Sequence, residues 1–239
     1  MRFRLPLKRT VFFLAALVLA LLVLLPLRMA AGWFDMGGKG LAAREVEGSL
    51  WSGRLREAQF GPVLLGDVDA RLNVLPLFLG RARLSLHRDE AAGGALDGAI
   101  LVTRHSFGLE DVTGQLRTGA LFAGLPIATL DLADVSVRFE GERCESAEGE
   151  VRAGLAGQIG GMALSPTLSG VLRCQNGAAL LPLAGQSGME QVNLSIQASG
   201  RWRAEIVLRP TDPAAIQRLT AAGFVPGAGG YVRRIDGSF

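Results

Sequence analysis

The 239-residue chain has only two cysteines, two histidines and one tyrosine, and aromatic residues make up 6% of it. With so few histidines a Ser-His-Asp arrangement has little to draw on, and His87 and His105 both fall in polar or loop contexts. A P-loop, a GxGxxG dinucleotide fingerprint, a GxSxG nucleophile elbow and an HExxH zinc helix are all missing. The chain therefore reads as non-enzymatic, with no catalytic, cofactor-binding or metal-binding residues and no cofactor. It also lacks a strong excess of charge. The net charge is +3, and Arg2, Arg4, Lys8 and Arg9 stand together at the start. The remainder is close to neutral and offers no basic patch for nucleic acid.

Long apolar runs are scarce too, with one exception. Thr10–Leu27 (TVFFLAALVLALLVLLPL) carries no charge. As a helix it extends roughly 27 Å, close to the hydrocarbon thickness of a bilayer. The basic residues before it should hold the N-terminus in the cytoplasm. The expected organisation is a cytoplasmic basic segment over 1–9, a transmembrane signal-anchor over 10–27 (Thr10, Val11, Phe12, Leu19 and Leu27 among its residues), a membrane-proximal linker over 28–42 and a periplasmic β-rich domain over 43–239. Trp33 and Phe34 would sit at the outer interface. A cleaved signal peptide is the rival reading, with Ala30-Ala31-Gly32 as its cleavage site, although the run is long for a signal. A buried core helix would show a polar stripe, and none is present.

Cys144 and Cys174 both lie beyond this run. In an oxidising compartment a lone pair thirty residues apart most simply forms a disulfide. The rival is a catalytic thiol or a metal site, but no CxxC spacing exists and neither histidine is near in sequence. Glycine is abundant, 32 of 239 residues and nearly twice the usual share. The glycines are spread without a period, which points to many turns between short strands.

Several segments alternate apolar and polar residues, the mark of strands with one buried face. In Asp67–Val74 the inner set is Val68, Ala70, Leu72 and Val74, and in Arg81–His87 it is Ala82, Leu84 and Leu86. Val135, Val137 and Phe139 form a third such set. Gln191–Ala198 and Arg201–Arg209 are joined by Ser199-Gly200, so Val192, Leu194 and Ile196 should share a face with Trp202, Ala204, Ile206 and Leu208, leaving Val207 outward. Weaker strand–glycine–strand units cover Glu45–Phe60, Ala99–Arg117 and Leu168–Leu181. Leu168, Leu172 and Cys174 share one parity, so Cys174 should face the apolar side. One soluble helix is signalled: Asp212 caps it, Pro213 suits its first turn, Gly223 follows its end, and Ile216 and Leu219 form its stripe. Pro226–Gly230 reads as flexible and Tyr231–Phe239 as a last short strand. The fold class is thus mainly β, an N-terminal transmembrane helix followed by an antiparallel β-meander with one short C-terminal helix. The same-face acidic pairs Asp67/Asp69 and Glu148/Glu150 read as solvated, and the sequon Asn193-Leu194-Ser195 lies in mid-strand.

Together these pieces resemble the type II secretion system protein N family (GspN). The resemblance rests on the start RFRLPLKRTVFFLAALVLALLVLLPLRMA, on AREVEGSLWSGRLREAQFGPVLLGDVDARLNVLPLFLGRARL over Ala43–Leu84, on GERCESAEGEV around Cys144 and on LSGVLRCQNGAALLPL around Cys174. It implies an inner-membrane accessory component of the machinery that moves folded proteins from the periplasm through an outer-membrane channel. The implied partners are other secretion components and inner-membrane lipid, and no catalytic residues carry over. Val46–Gly53 also looks like the opening unit of periplasmic AsmA-type proteins, in which a one-sided sheet curls into an apolar trough. That likeness raises a second expectation, a lipid or other apolar ligand held by a curved sheet. An outer-membrane barrel, prompted by the terminal Phe239, would need strands of about 9–11 residues, longer than most of those read here.

Overall fold

Almost every alternating segment becomes an antiparallel strand. The computed structural model describes residues 11–14, 16, 20, 41–49, 51–60, 63–89, 94–118, 122, 124–156, 158–159, 162–163, 165–227 and 229–238. The first strands are β1 (Leu41–Ala42), β2 (Glu45–Ser49), β3 (Ser52–Phe60) and β4 (Val63–Leu72). A one-turn helix, α1 (Val74–Phe78), leads to β5 (Ala82–Arg88), β6 (Leu96–Val102), β7 (Ser106–Arg117), β8 (Ile127–Glu140) and β9 (Arg143–Leu155). β10 (Gln158–Ile159) and β11 (Met162–Ala163) form a separate small hairpin. Then follow β12 (Thr167–Val171), β13 (Arg173–Gln175), β14 (Ala178–Gly185), β15 (Glu190–Ile196), β16 (Arg201–Leu208), helix α2 (Pro213–Ala221), β17 (Val225–Gly227) and β18 (Gly230–Ser238).

All strands but β10 and β11 belong to one 16-stranded sheet. Its order is β1-β3-β4-β5-β6-β7-β8-β9-β12-β14-β15-β16-β18-β17, with β2 also on β3 and β13 also on β14. Neighbours in sequence are nearly always neighbours in the sheet, so this is a meander. The proximal end of the sheet is where β1 joins, at Leu41↔Phe60. α1 and the 103–105 and 141–142 turns leave the opposite, distal end.

A line of bulges bends the sheet. Pairing shifts register between Leu55 and Ala58 in β3, Asp97 and Ala99 in β6, Leu109 and Val112 in β7, and Ala133 and Ser136 in β8. Glu57, Asp111 and Asp134 take positive φ at these places. A bulge takes a residue out of the ladder and sharpens the local twist, so a row of them curls the sheet. Each displaced backbone N–H finds a side chain on the adjacent strand. Glu57 N–H donates to Asp67 Oδ1 (2.9 Å), Asp111 N–H to Ser136 Oγ (2.9 Å) and Asp134 N–H to Thr113 Oγ1 (3.0 Å). Gly149, across from Asp134, has φ +109°, and a Cβ there would lie 2.6 Å from the Asp134 carbonyl oxygen.

Inside the curl lie Val112, Val135, Phe139, Val151, Ala153, Leu168, Leu181, Leu183, Val192, Leu194, Trp202, Ala204, Ile206 and Leu208, all buried. The β15–β16 register, Val192↔Ile206, Leu194↔Ala204 and Ile196↔Trp202, puts both apolar sets on one face as expected. Phe122, before β8, is buried inside the curl, where its ring meets Trp202 edge-on at 5.5 Å. α2 forms with Asp212 accepting from Ala214 N–H, and it buries Ala215 and Leu219.

Five expectations are corrected. Val74 does not end a strand but begins α1, a second short helix, because Pro76 fits the first helical turn, where an N–H is not needed. Val207 is buried on the outer face, under the turn at Gly229. Pro226 and Gly227 lie in β17 and pair with β18 instead of forming a free tail. The strand read over Val135–Glu140 is longer than expected, since β8 runs over Ile127–Glu140 with 14 residues. Asp67 and Asp69 are not merely solvated, since Asp67 holds the β3 bulge and Asp69 pairs with Arg54 at 2.8 Å. The apolar set faces into the curl and ion pairs line the outside, the inverse of an outer-membrane barrel.

Residues 11–14 are helical, and Val11 and Phe12 are exposed. Thr10, Leu19 and Leu27, like Trp33, Phe34 and most of the 28–42 linker, lie outside the described residues. Among the described residues no helix is long and apolar enough to cross a membrane.

Candidate functional site

The inner face of the sheet differs between its parts. Toward the proximal end of the C-terminal strands, Leu125, Ile127, Leu155, Leu168, Val192, Ile206 and Leu208 close together and leave a space of about 10 Å³, with no room for a ligand. Glu190 borders that space. Burial by itself would raise its pKa, but hydrogen bonds from Ser187 and Ser165 outweigh burial and hold the carboxyl below the usual range. The distal end of β6 and β7 is open instead. Val102, Phe107 and Leu109 point along the apolar face and are each more than 40% exposed, with Phe107 stacked on Phe139 at 5.4 Å.

Arg88 is the least expected residue of the inner face. It continues the parity of Ala82, Leu84 and Leu86, so its side chain enters the curl, and it is 4% exposed. Its Nε donates to Gly94 O (2.6 Å), Nη1 to Leu65 O (2.6 Å) and Nη2 to Gln115 O. Beyond the β5–β6 hairpin β4 and β7 pair directly, at Leu64↔Arg117. Arg88 ties the backbones of these two strands across that junction. Burial and nearby Arg117 lower its pKa. A sequence signal for it did exist: a charged residue on an apolar parity.

Outside, a row of cross-strand charges runs from Glu47 through Arg54, Asp69 and His87 to Asp97. His87 Nδ1 lies 2.9 Å from Asp97 and Nε2 3.2 Å from Asp89, and hydrogen bonding to these carboxylates, Asp97 first, raises its pKa. Over Gly108 there is a polar groove of about 150 Å³ bordered by Glu110, Ser136, Arg138 and Glu148. Among the described residues no three His, Cys, Asp or Glu side chains come together as a metal site would require.

Cys144 and Cys174 are joined in a disulfide with their Cα atoms 5.6 Å apart. The bond ties the distal start of β9 to β13, beside the Cys144 N–H donating to Gly177 O at 2.8 Å. Both sheet edges are partly open. On β18 only residues 230–232 are covered by β17, so among the described residues the outer side of 233–238 has no partner strand.

The family model described as type II secretion system (T2SS), protein N, matches residues 39–234. The type II secretion system protein N of Vibrio cholerae serotype O1 (strain ATCC 39315 / El Tor Inaba N16961) is 26% identical over 214 residues, which cover 83% of each chain. No solved structure matches.

Proposed function

Since this chain belongs to the type II secretion system protein N family, we propose that it serves that system without catalysis, as a membrane-tethered periplasmic part that docks other components. In this reading Thr10–Leu27 is an uncleaved inner-membrane anchor with its N-terminus in the cytoplasm. The curled sheet then works in the periplasm, assisting export of folded proteins across the outer membrane. The observation that carries the docking role is the open side of β18 over 233–238, which offers backbone donors and acceptors to an added strand. Arg234 and Asp236 on this edge are paired inward, with Glu205 and Arg203, so the sheet holds the edge in shape. Isolating the tagged full chain from membranes under conditions that preserve the machinery should bring other secretion components with it, and a photocrosslinker replacing Ser238 should join one of them. Recovery of the chain alone would count against docking. N-terminal sequencing of the mature protein tests the anchor, and a start at Trp33 would end that reading.

The exposed Val102, Phe107 and Leu109 favour a second reading, an apolar ligand held at the distal end of the trough. The filled interior of the C-terminal strands limits such a ligand to that end. Native mass spectrometry of gently purified protein should then show added mass, and bare protein would dismiss it.

A further inference from the structure

Between β4 and β5 the chain runs through six consecutive apolar residues, Val74, Leu75, Pro76, Leu77, Phe78 and Leu79. They form α1 and its C-cap at the distal end of the sheet. Leu75 is 81% and Leu79 77% exposed, and Val74 and Leu77 are exposed as well. Burial elsewhere in the fold therefore does not account for this run. Isolated exposed leucines need no explanation, but four exposed apolar side chains within six residues do.

Two features distinguish the possible occupants. A helix that docks on a protein is apolar along one stripe and polar on the rest, whereas α1 and its cap have no polar side chain on any side. An apolar surface all round suits immersion in an isotropic apolar medium. Several of its backbone groups are paired at the two ends of the turn, although Asn73 gives the first turn no side-chain cap. Leu79 N–H and Arg81 N–H both donate to Pro76 O, Gly80 N–H donates to Leu77 O, Asn73 N–H donates to Arg83 O, and Pro76 has no N–H to satisfy. Unpaired backbone groups would be costly in lipid.

Charge identifies the kind of surface. From residue 70 to residue 88 the chain has four arginines and no Asp or Glu. Arg88 is buried and Arg83 pairs with Glu110 at 3.0 Å, while among the described residues Arg71 and Arg81, which flank the tip, are not ion-paired. The 103–105 turn adds Arg104 at the same end of the sheet, and the acidic Glu140 and Glu142 lie one turn farther from α1. Cations flanking an apolar tip match the order of a bilayer interface with anionic headgroups, phosphate above and acyl chain below.

We propose that α1 is a membrane-contact tip: Val74, Leu75, Leu77 and Leu79 enter the interfacial layer of an anionic bilayer while Arg71 and Arg81 stay at the phosphates. This rests on the anchor reading for the choice of membrane. The tip lies about 27 Å, the length of β3, from the proximal end where the chain enters. Residues 28–40 can span at most about 45 Å if fully extended, so the sheet can lie down on the bilayer that holds its anchor.

The test uses the full chain with its disulfide intact. Leu75→Cys, Leu79→Cys and, at the proximal end, the exposed Gln217→Cys each carry an environment-sensitive fluorophore in vesicles of phosphatidylethanolamine and phosphatidylglycerol. The first two labels should shift to the blue and lose most of their emission when brominated lipids are used, and the Gln217 label should do neither. Exchanging phosphatidylglycerol for phosphatidylcholine should weaken the quenching at both tip positions. An unchanged melting temperature checks that the labelled chains are folded. A chain that floats with the vesicles but keeps its tip labels in water overturns the tip and leaves the anchor standing. A blue shift without lipid quenching means that protein covers the tip, and also overturns it. A chain that does not float at all overturns the anchor reading and this inference with it.

Discussion

Arg88 shows how one side chain holds a junction that backbone pairing cannot complete. Three carbonyls from β4, β7 and the 89–95 loop converge on its guanidinium, and its planar fork reaches all three, which a lysine could not do. Arg88→Leu removes the donor from three part-buried carbonyls and should lower the unfolding free energy by about 3 kcal/mol, measured by denaturant unfolding. Arg88→Lys should recover only part of it. His87 gives a pH signature. Its pKa is raised from 6.5 by Asp97 and Asp89, so its contribution is fully present below pH 6.5 and is lost as pH rises through the higher folded value. Melting temperature followed across that window should fall in the native chain, and the His87-dependent part of the fall should be absent in His87→Gln.

The row of bulges is the decisive element-level feature, because it turns a flat meander into a curl with an inside. Gly149 sits in that row with positive φ and almost no space for a side chain. Gly149→Ala forces a strained backbone against the Asp134 carbonyl and should cost about 2 kcal/mol, read from the same unfolding curves. The α2 cap is a milder case: Asp212→Ala removes the acceptor for Ala214 N–H and should cost about 1 kcal/mol. Much of this level was legible in sequence. The strands around Leu84, Val137, Leu194 and Ala204 follow from period two, and α2 follows from Asp212, Pro213 and Gly223. The bulges were not legible, since Asp111 and Asp134 look like ordinary polar positions until a neighbouring strand supplies Ser136 and Thr113. Arg88 was missed for a similar reason: its carbonyl partners lie up to 27 residues away.

Across the whole molecule, the disulfide closes a thirty-residue loop between β9 and β13. Replacing both cysteines with serine should cost roughly 3–4 kcal/mol in the chain-entropy model, and should loosen the distal ends of β9, β13 and β14 first, as hydrogen exchange would show. The same distal end, at β4–β7, carries the exposed Phe107 and Leu109, the α1 tip and the turns, whereas α2 covers the proximal end of the C-terminal strands and Phe122 fills their distal part against Trp202. The inner face is thus filled under the C-terminal strands and exposed at the distal end of β6 and β7.

The sequence by itself determined the mainly β class, the parity of most strands, the helix at Pro213, the cysteine pair and the family, because these depend on local period, capping chemistry and residue order. Only the tertiary structure decided that a row of bulges bends the sheet, that Arg88 points inward to close β4 on β7, that Asp67 serves a bulge, and that Val74, Leu75, Leu77 and Leu79 are left outside. Those outcomes depend on which residues meet across strands distant in sequence, and neither alternation nor spacing encodes such meetings.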